Sequence, residues 1–132
     1  HVRDLAVPDH AGRMVTAIRR RLEALGWGVL REVGVTDRGD GRKGRVDLLV
    51  FRSRGWQAWI ECDRSTPRLK SLAKLEAQQG DRLVLVRGVK VEGLIGRVRV
   101  FGLPISGASR GGTSPQAIPA DHDEHRSHGR PR

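Results

Sequence analysis

Three acidic side chains near the middle of the chain are spaced so that one hairpin would bring them together. Asp47 lies in a Val- and Leu-rich segment, residues 45–51, while Glu61 and Asp63 lie in a second segment, after a turn signal at residues 53–55. If residues 53–55 form a three-residue loop, Asp47 lies directly opposite Glu61, with Cβ atoms roughly 5 Å apart on one sheet face. The pattern therefore predicts a group of converging carboxylates.

The same register separates the apolar side chains of the hairpin from its charged ones. A slip of one residue would mix the two faces, so the pattern supports this pairing. The single cysteine falls on the apolar face, where we expect a small buried thiol. That predicted face consists of Val46, Leu48, Val50, Ala58, Ile60 and Cys62.

Converging carboxylates repel one another and need compensating charge. A hard divalent cation such as Mg²⁺ provides it, since Mg²⁺ takes oxygen ligands and commonly binds one or two carboxylates together with water. Neighbouring cations provide the alternative, which is an ordinary network of surface ion pairs. The candidates for that network are Arg45, Arg64, Arg68 and Lys70. The spacing alone leaves both interpretations open.

The charge of the chain is strongly positive and lies mainly outside its C-terminal part. The net charge is +10, and residues 1–104 contain 21 Lys and Arg against 12 Asp and Glu. A basic folded domain favours a polyanionic partner, most simply nucleic acid, although charge also serves solubility. A Gly-rich loop at residues 36–44 carries Arg38, Arg42 and Lys43, and such loops suit contacts with phosphate groups.

The order of predicted elements is helix, strand, hairpin, helix, strand and strand, which indicates an α/β fold with a mixed sheet. Asp9 is a plausible N-cap for the first helix, and Ser65 or Thr66 for the second. The predicted segments are a helix at 9–25, strands at 27–35, 45–51, 56–62 and 82–87, a helix ending near 79, an ambiguous segment at 89–95 and an edge strand at 97–101.

One domain is expected over residues 1–104, followed by a disordered tail at residues 105–132 that is rich in Gly, Ser, Pro and His. The chain has no apolar run near 18 residues and no signal peptide pattern, so we expect no membrane partner and a cytoplasmic location.

Four segments together resemble the PD-(D/E)xK nuclease superfamily, whose restriction-endonuclease-like fold has a central mixed β-sheet flanked by helices. They read GWGVLREV, GRVDLLV, AWIECD and RLVLVRG, and the resemblance covers about residues 9–103. It implies that Asp47 and Glu61 bind Mg²⁺ or Mn²⁺, together with the backbone carbonyl of Cys62.

The chain departs from the superfamily pattern at two points. Asp63 stands where the motif has lysine, and residues 13–17 of the first helix lack the glutamate that many members carry. Glu23 and Glu32 are poorly placed substitutes for that glutamate. Some members place the lysine on the following helix, which makes Lys70 the natural candidate, with Lys74 behind it. The resemblance also allows Asp63 to supply a further metal ligand or to hold Lys70 in place.

These observations lead to the expectation of a metal-dependent endonuclease that hydrolyses phosphodiester bonds of DNA, with DNA favoured over RNA and a homodimer possible. The predicted catalytic residues are Asp47, Glu61, Asp63 and Lys70. The predicted metal ligands are Asp47, Glu61, Cys62 and Asp63. The predicted nucleic-acid contacts are Arg38, Arg42, Lys43, Arg45, Arg64, Arg68 and Lys74.

Two alternatives stay open. The first is a catalytically inactive nucleic-acid-binding module on the same fold, which the missing motif lysine favours. The second is a protein-interaction module that docks a partner on Leu49, Phe51 and Trp59, although ordinary core packing would equally explain these three residues.

Overall fold

The computed structural model describes residues 2–52 and 55–107, and the backbone of residues 116 and 117. Its elements are α1 (Ala11–Ala24), β1 (Gly28–Val35), β2 (Gly44–Phe51), β3 (Gln57–Arg64), α2 (Leu69–Glu76), β4 (Asp81–Arg87), β5 (Val91–Ile95), β6 (Val98–Leu103) and β7 (Gln116–Ala117). They confirm the predicted α/β class and the predicted order as far as β4, and the segment that the sequence left ambiguous, 89–95, contains a strand, β5.

The strands form one mixed sheet in the order β1-β2-β3-β4-β6-β5-β7. The pairs β1–β2 and β2–β3 are antiparallel, whereas β4 runs parallel to both β3 and β6. The prediction that residues 97–101 form an edge strand is wrong, because β6 lies between β4 and β5. Alternation of polar and apolar residues shows which sheet face is covered, but it does not show whether both edges of a strand are paired.

One helix packs on each face of the sheet. On the α1 face, Met14, Ile18 and Leu22 pack against residues that include Leu48 and Ile60. On the α2 face, Leu72 and Leu75 pack with Val46, Val84, Val86, Val98 and Val100. Burial of these two apolar layers is the main favourable contribution to folding. Neither helix of the described ranges has the length and hydrophobicity needed to cross a bilayer.

The central hairpin has the predicted register. Leu48 pairs with Ile60 and Phe51 with Gln57, and the ladder runs no further than Leu48 toward the start of β2. Val46 lies beyond this point and packs in the α2-side cluster, so its predicted place beside Leu48 is wrong. The change of side follows an irregularity in the β1–β2 ladder, where the position of Glu32, with φ +53°, is missing between the pairs of Arg31 and Val33.

Both helices begin at residues other than the predicted caps. His10 is the N-cap of α1, and its Nδ1 accepts the N–H of Arg13 at 3.2 Å. Asp9 instead binds arginines of the sheet. The helix α2 starts later than predicted, after Arg68, whose own N–H is accepted by Asp63 Oδ2 at 2.9 Å. A carboxylate from β3 therefore replaces Ser65 or Thr66 at this helix start.

Paired backbone extends beyond the predicted domain boundary at residue 104. Ile105 bridges to Val7, and Gln116–Ala117 pair with β5. The rest of the predicted tail, residues 108–115 and 118–132, lies outside the described residues.

Candidate functional site

The site begins where β2 and β3 part. Asp47 Oδ2 accepts the backbone N–H of Cys62 at 2.8 Å, and Glu61 Oε2 accepts the backbone N–H of Asp47 at 2.9 Å. Each carboxylate thus takes a backbone donor from the opposite strand, at the point where the regular ladder has ended. These two bonds fix both side chains in the fork between the strands and bring together the pair that the hairpin register predicts.

The helix α2 supplies the remaining partners of Glu61. Lys74 Nζ donates to Glu61 Oε1 at 3.1 Å, and the Ser71 hydroxyl lies 3.4 Å from the same oxygen. Ser71 is fully buried, and the Lys74 side chain is 17% exposed. Residues 71 and 74 are one helical turn apart, so both point from one face of α2 toward β3. Sequence reasoning missed Ser71, although its spacing from Lys74 gave a signal.

The electrostatic balance of this pair is unfavourable for two ionised carboxylates. Glu61 is 1% exposed, and the loss of solvent, followed by the nearby charge of Asp47, raises its pKa. Burial also raises the pKa of Asp47, with smaller contributions in the same direction from Asp63 and from Glu32 on β1. Lys74 opposes both shifts. Two acids that share one ammonium leave a surplus negative charge in a poorly solvated place.

The negative charge of Asp63 is compensated by partners other than Lys74. It is 2% exposed, and Oδ1 accepts from Ser71 Oγ at 3.0 Å and from Arg68 Nε at 3.1 Å. With the N–H of Arg68 on its other oxygen, Asp63 anchors the start of α2.

Among the described residues, no group of three or more His, Cys, Asp or Glu side chains is arranged to hold a metal ion. The expected cluster of three metal-binding carboxylates is therefore not formed.

The lysine that reaches the carboxylates is Lys74 rather than Lys70. Lys70 is exposed, and in the described ranges no hydrogen bond or ion pair joins it to Asp47, Glu61 or Asp63. Glu61 lies beneath the segment between Ser71 and Lys74, so a lysine in the first turn of the helix is too early to reach it. The predicted position of Lys70 beside the carboxylates is therefore wrong, and Lys74 occupies that position.

Cys62 contributes its backbone to the site and its side chain to the core. The thiol is buried among the residues that pack against α1, and burial, reinforced by the neighbouring carboxylates, raises its pKa well above the usual value. A protonated, buried thiol is an ordinary core side chain. The predicted metal contact through the carbonyl of Cys62 stays a prediction.

Three of the arginines expected to contact nucleic acid are ion-paired and largely exposed. Arg45 lies 3.4 Å from Glu32, and Arg68 and Arg64 bind Asp63 and Asp9. The ion-pair interpretation therefore holds for Asp63, while Asp47 has no such partner among the described residues. The Arg45–Glu32 pair is exposed on both sides and contributes little to stability, so Arg45 can exchange its partner for a phosphate group at small cost. Arg68 differs, because its partner Asp63 is buried.

The basic loop before β2 is fixed beside α2. Asp37 Oδ1 accepts the N–H groups of Gly39 and Gly41, and Gln78, just after the end of α2, donates to the carbonyl of Asp37. A Cβ at Gly39, where φ is +107°, would lie 2.7 Å from the carbonyl oxygen of Ala73, so only glycine fits this approach. Arg38 pairs with Asp40, whereas Arg42 and Lys43 are exposed. The loop thus contacts α2 at Ala73, next to Lys74.

The fold and the site define an α/β protein with a pair of carboxylates, one buried and one half-buried, at a fork in its sheet. No protein-family model matches the chain, and the search of curated proteins also gave no match. One similar solved structure is that of AF1548, a protein of unknown function, with 18% sequence identity and a TM-score of 0.42. The similarity covers 55% of this chain and 45% of that chain, so it spans less than half of AF1548.

Proposed function

We propose that the protein is a metal-dependent nuclease, a divergent relative of the PD-(D/E)xK enzymes, and that it hydrolyses phosphodiester bonds of DNA. The observation that carries this proposal is the pairing of half-buried Asp47 with buried Glu61, for which the described residues provide one ammonium partner, Lys74. Such a pair is costly unless a cation joins it, and perturbed acids in one place are typical of functional sites.

The donor set fits a hard divalent cation. Asp47, Glu61 and the backbone carbonyl of Cys62 offer only oxygen atoms, which Mg²⁺ and Mn²⁺ prefer. A bound ion of this kind supplies Lewis acidity toward the phosphate and toward attacking water. The protein itself contributes orientation: the backbone N–H groups of Cys62 and Asp47 hold the two carboxylates in place.

Asp63 occupies the position where the motif has lysine, and in this proposal Lys74 takes the role of that lysine. Its ammonium group lies 3.1 Å from Glu61 Oε1, so it is placed to hold that carboxylate and to face negative charge that develops on a phosphate. The exposed cations Arg42, Lys43 and Arg68 lie on the loop and helix that flank it, where they suit contacts with the nucleic-acid backbone.

The proposal is tested by incubating the protein with supercoiled plasmid and with single-stranded DNA in Mg²⁺ or Mn²⁺. We expect nicking that EDTA abolishes and that the variant Glu61→Gln lacks. The matched control is Glu76→Gln, which makes the same chemical change at a glutamate that pairs with Arg97 outside the site. Nicking that persists in Glu61→Gln, or that Glu76→Gln loses equally, would refute the assignment.

An inactive nucleic-acid-binding module is the second candidate, and one observation favours it. Both oxygens of Glu61 already have partners, since Oε2 accepts the N–H of Asp47 and Oε1 accepts from Lys74. A carboxylate satisfied in this way can serve structure without a metal ion. Binding of DNA without cleavage under either metal would support this candidate, and the slope of affinity against salt would report the number of phosphate contacts.

A further inference from the structure

A groove lies on the α1 face of the sheet, away from the carboxylate pair. Its volume is about 440 Å³, which is within the range of small-ligand sites. Apolar residues of β2, β3 and β4, with Trp27, Trp56 and Phe101, form its walls. Glu61 and Lys74 lie on the opposite face, so this surface is separate from the proposed catalytic site.

The tryptophans of the groove are held in fixed positions although one of them is exposed. The rings of Trp27 and Trp56 lie 4.9 Å apart at 55°. Trp56 is 40% exposed, yet its indole N–H donates to Asp81 Oδ2 at 2.7 Å. A large aromatic ring that is both exposed and fixed offers a flat apolar platform at low cost in conformational entropy.

The charge around this platform is positive. Arg3, Arg82 and Arg99 line the groove, and the Arg52 guanidinium lies 3.6 Å from the centre of the Trp27 ring. The carboxylate on the groove wall, Asp81, is engaged by the indole of Trp56.

Two of these arginines have other partners in the protein. Arg3 pairs with Glu92 at the surface, and Arg82 donates to carbonyls at the end of α2. For Arg99 the described residues provide no hydrogen bond or ion pair, and its side chain is exposed. Four arginines (Arg3, Arg52, Arg82 and Arg99) thus stand against two carboxylates (Asp81 and Glu92), so an apolar ligand that also carries negative charge is favoured.

We infer that the groove binds unpaired nucleotides of a single-stranded nucleic acid, with bases stacking on Trp56 and phosphates facing Arg99 and Arg52. Aromatic platforms with flanking cations are how proteins bind single strands without reading sequence. A duplex does not fit this chemistry, because its base faces are already stacked on one another. The inference is independent of cleavage, since it uses no residue of the carboxylate site.

The test is fluorescence anisotropy of a labelled single-stranded oligonucleotide and of the matching duplex, with the full chain, in EDTA. EDTA prevents metal-dependent cutting, so the result does not depend on whether the carboxylate site is catalytic. We expect the single strand to bind more tightly than the duplex. Trp56→Ala should weaken its binding about tenfold or more, in line with the loss of one stacked base. Trp56→Phe should retain most of the affinity.

The matched control is Leu69→Ala, which truncates another exposed apolar side chain, 78% exposed at the start of α2. It should bind like the parent protein. Arg99→Gln should lower the slope of log affinity against log salt by roughly 0.7, as expected for one lost phosphate contact on a single strand. Equal binding of duplex and single strand, together with an unaffected Trp56→Ala, would overturn the inference. Displacement of the strand by an acidic peptide at the same concentration would also overturn it, in favour of a protein partner.

Discussion

Two charged clusters of the molecule have opposite balance. In the first, Asp9 lies between two arginines: it accepts two hydrogen bonds from Arg64, at 3.0 and 3.1 Å, and one from Arg87 at 3.0 Å. These contacts, those of Arg64 above all, lower the pKa of Asp9. In the second, Asp47 and Glu61 share Lys74, and burial raises the pKa of both acids.

The Asp9 cluster therefore stabilises the folded state, whereas the pair of Asp47 and Glu61 destabilises it. The Asp9 cluster ties the start of α1 to the ends of β3 and β4, and its surplus positive charge stabilises the carboxylate. The carboxylate pair keeps a surplus negative charge out of water, where it disfavours the folded state. Destabilising arrangements of this kind persist where a function requires them, and a bound cation would reverse the imbalance.

The largest effect is expected from Lys74→Met, which removes the cation of the second cluster. Glu61, which is buried, and Asp47, which is half-buried, then lack this counter-charge, and breaking a buried ion pair such as that of Lys74 with Glu61 costs about 3–5 kcal/mol. Urea denaturation at pH 7 measures the change. Lys70→Met is the matched control, because it removes an exposed lysine of the same helix, and it should leave stability unchanged. Equal stability of both variants would show that Lys74 does not balance the pair.

Divalent cations should stabilise the protein through the carboxylate pair and not through the Asp9 cluster. Because Mn²⁺ or Mg²⁺ would offset the charge of Asp47 and Glu61, it should stabilise the folded protein, by about 2.7 kcal/mol at a concentration one hundred times its dissociation constant. Thermal melting with and without the ion measures the shift. Asp47→Asn should lose this response and Asp9→Asn should keep it. A shift that survives in Asp47→Asn would place the ion elsewhere.

The carboxylate pair could be predicted from the sequence because a hairpin is local. A short turn and the alternation of apolar residues fix which residues oppose each other, so Asp47 and Glu61 followed from chain order alone. Which lysine contacts the carboxylates could not be predicted in this way, because Lys70 and Lys74 lie on the same face of the helix. It depends on where α2 begins and crosses β3, and both follow from tertiary packing.

Two further features could not be predicted from the local sequence. The role of Asp63 depends on its contacts with the start of α2, and the position of β6 depends on the order of strands in the sheet. Asp63 reads as a third metal ligand in a linear pattern, but the start of α2 folds back onto it and takes both of its oxygens. The interior place of β6 follows from the crossover after β4, and alternation within a strand carries no information about its neighbours.

A smaller effect is expected when the first cluster is broken. Asp9→Asn removes the charge that holds Arg64 and Arg87, and Arg87 is only 7% exposed. Hydrogen bonds to charged groups contribute about 1.5–3 kcal/mol when buried, and partial exposure of Asp9 reduces this to about 1–2 kcal/mol. Urea denaturation at pH 7 should show this loss, while plasmid nicking per folded molecule stays unchanged. Loss of nicking without loss of stability would give Asp9 a functional role instead.

The smallest expected change has the opposite sign. Asp47→Asn keeps an oxygen that can accept the N–H of Cys62 but removes one of two repelling charges. It should therefore stabilise the protein at pH 7, by about 0.5–1 kcal/mol, as changes that relieve a strained functional site often do. The same variant should lose nicking. A gain in stability together with a loss of activity is the combination that a purely structural acid would not show.

The pH dependence of the two variants distinguishes the clusters by sign. A carboxyl whose pKa is raised on folding binds more protons in the folded state, so stability falls as pH rises from the ordinary value of 3.8 for Asp47 through its folded value. The advantage of Asp47→Asn should accordingly appear above pH 4 and grow through that window. Asp9 has a lowered pKa, so its contribution is present above 3.8 and is lost in acid, where Asp9→Asn should approach the parent protein. Urea denaturation across pH 3–7 measures both trends, and parallel curves for the two variants would remove the distinction between the clusters.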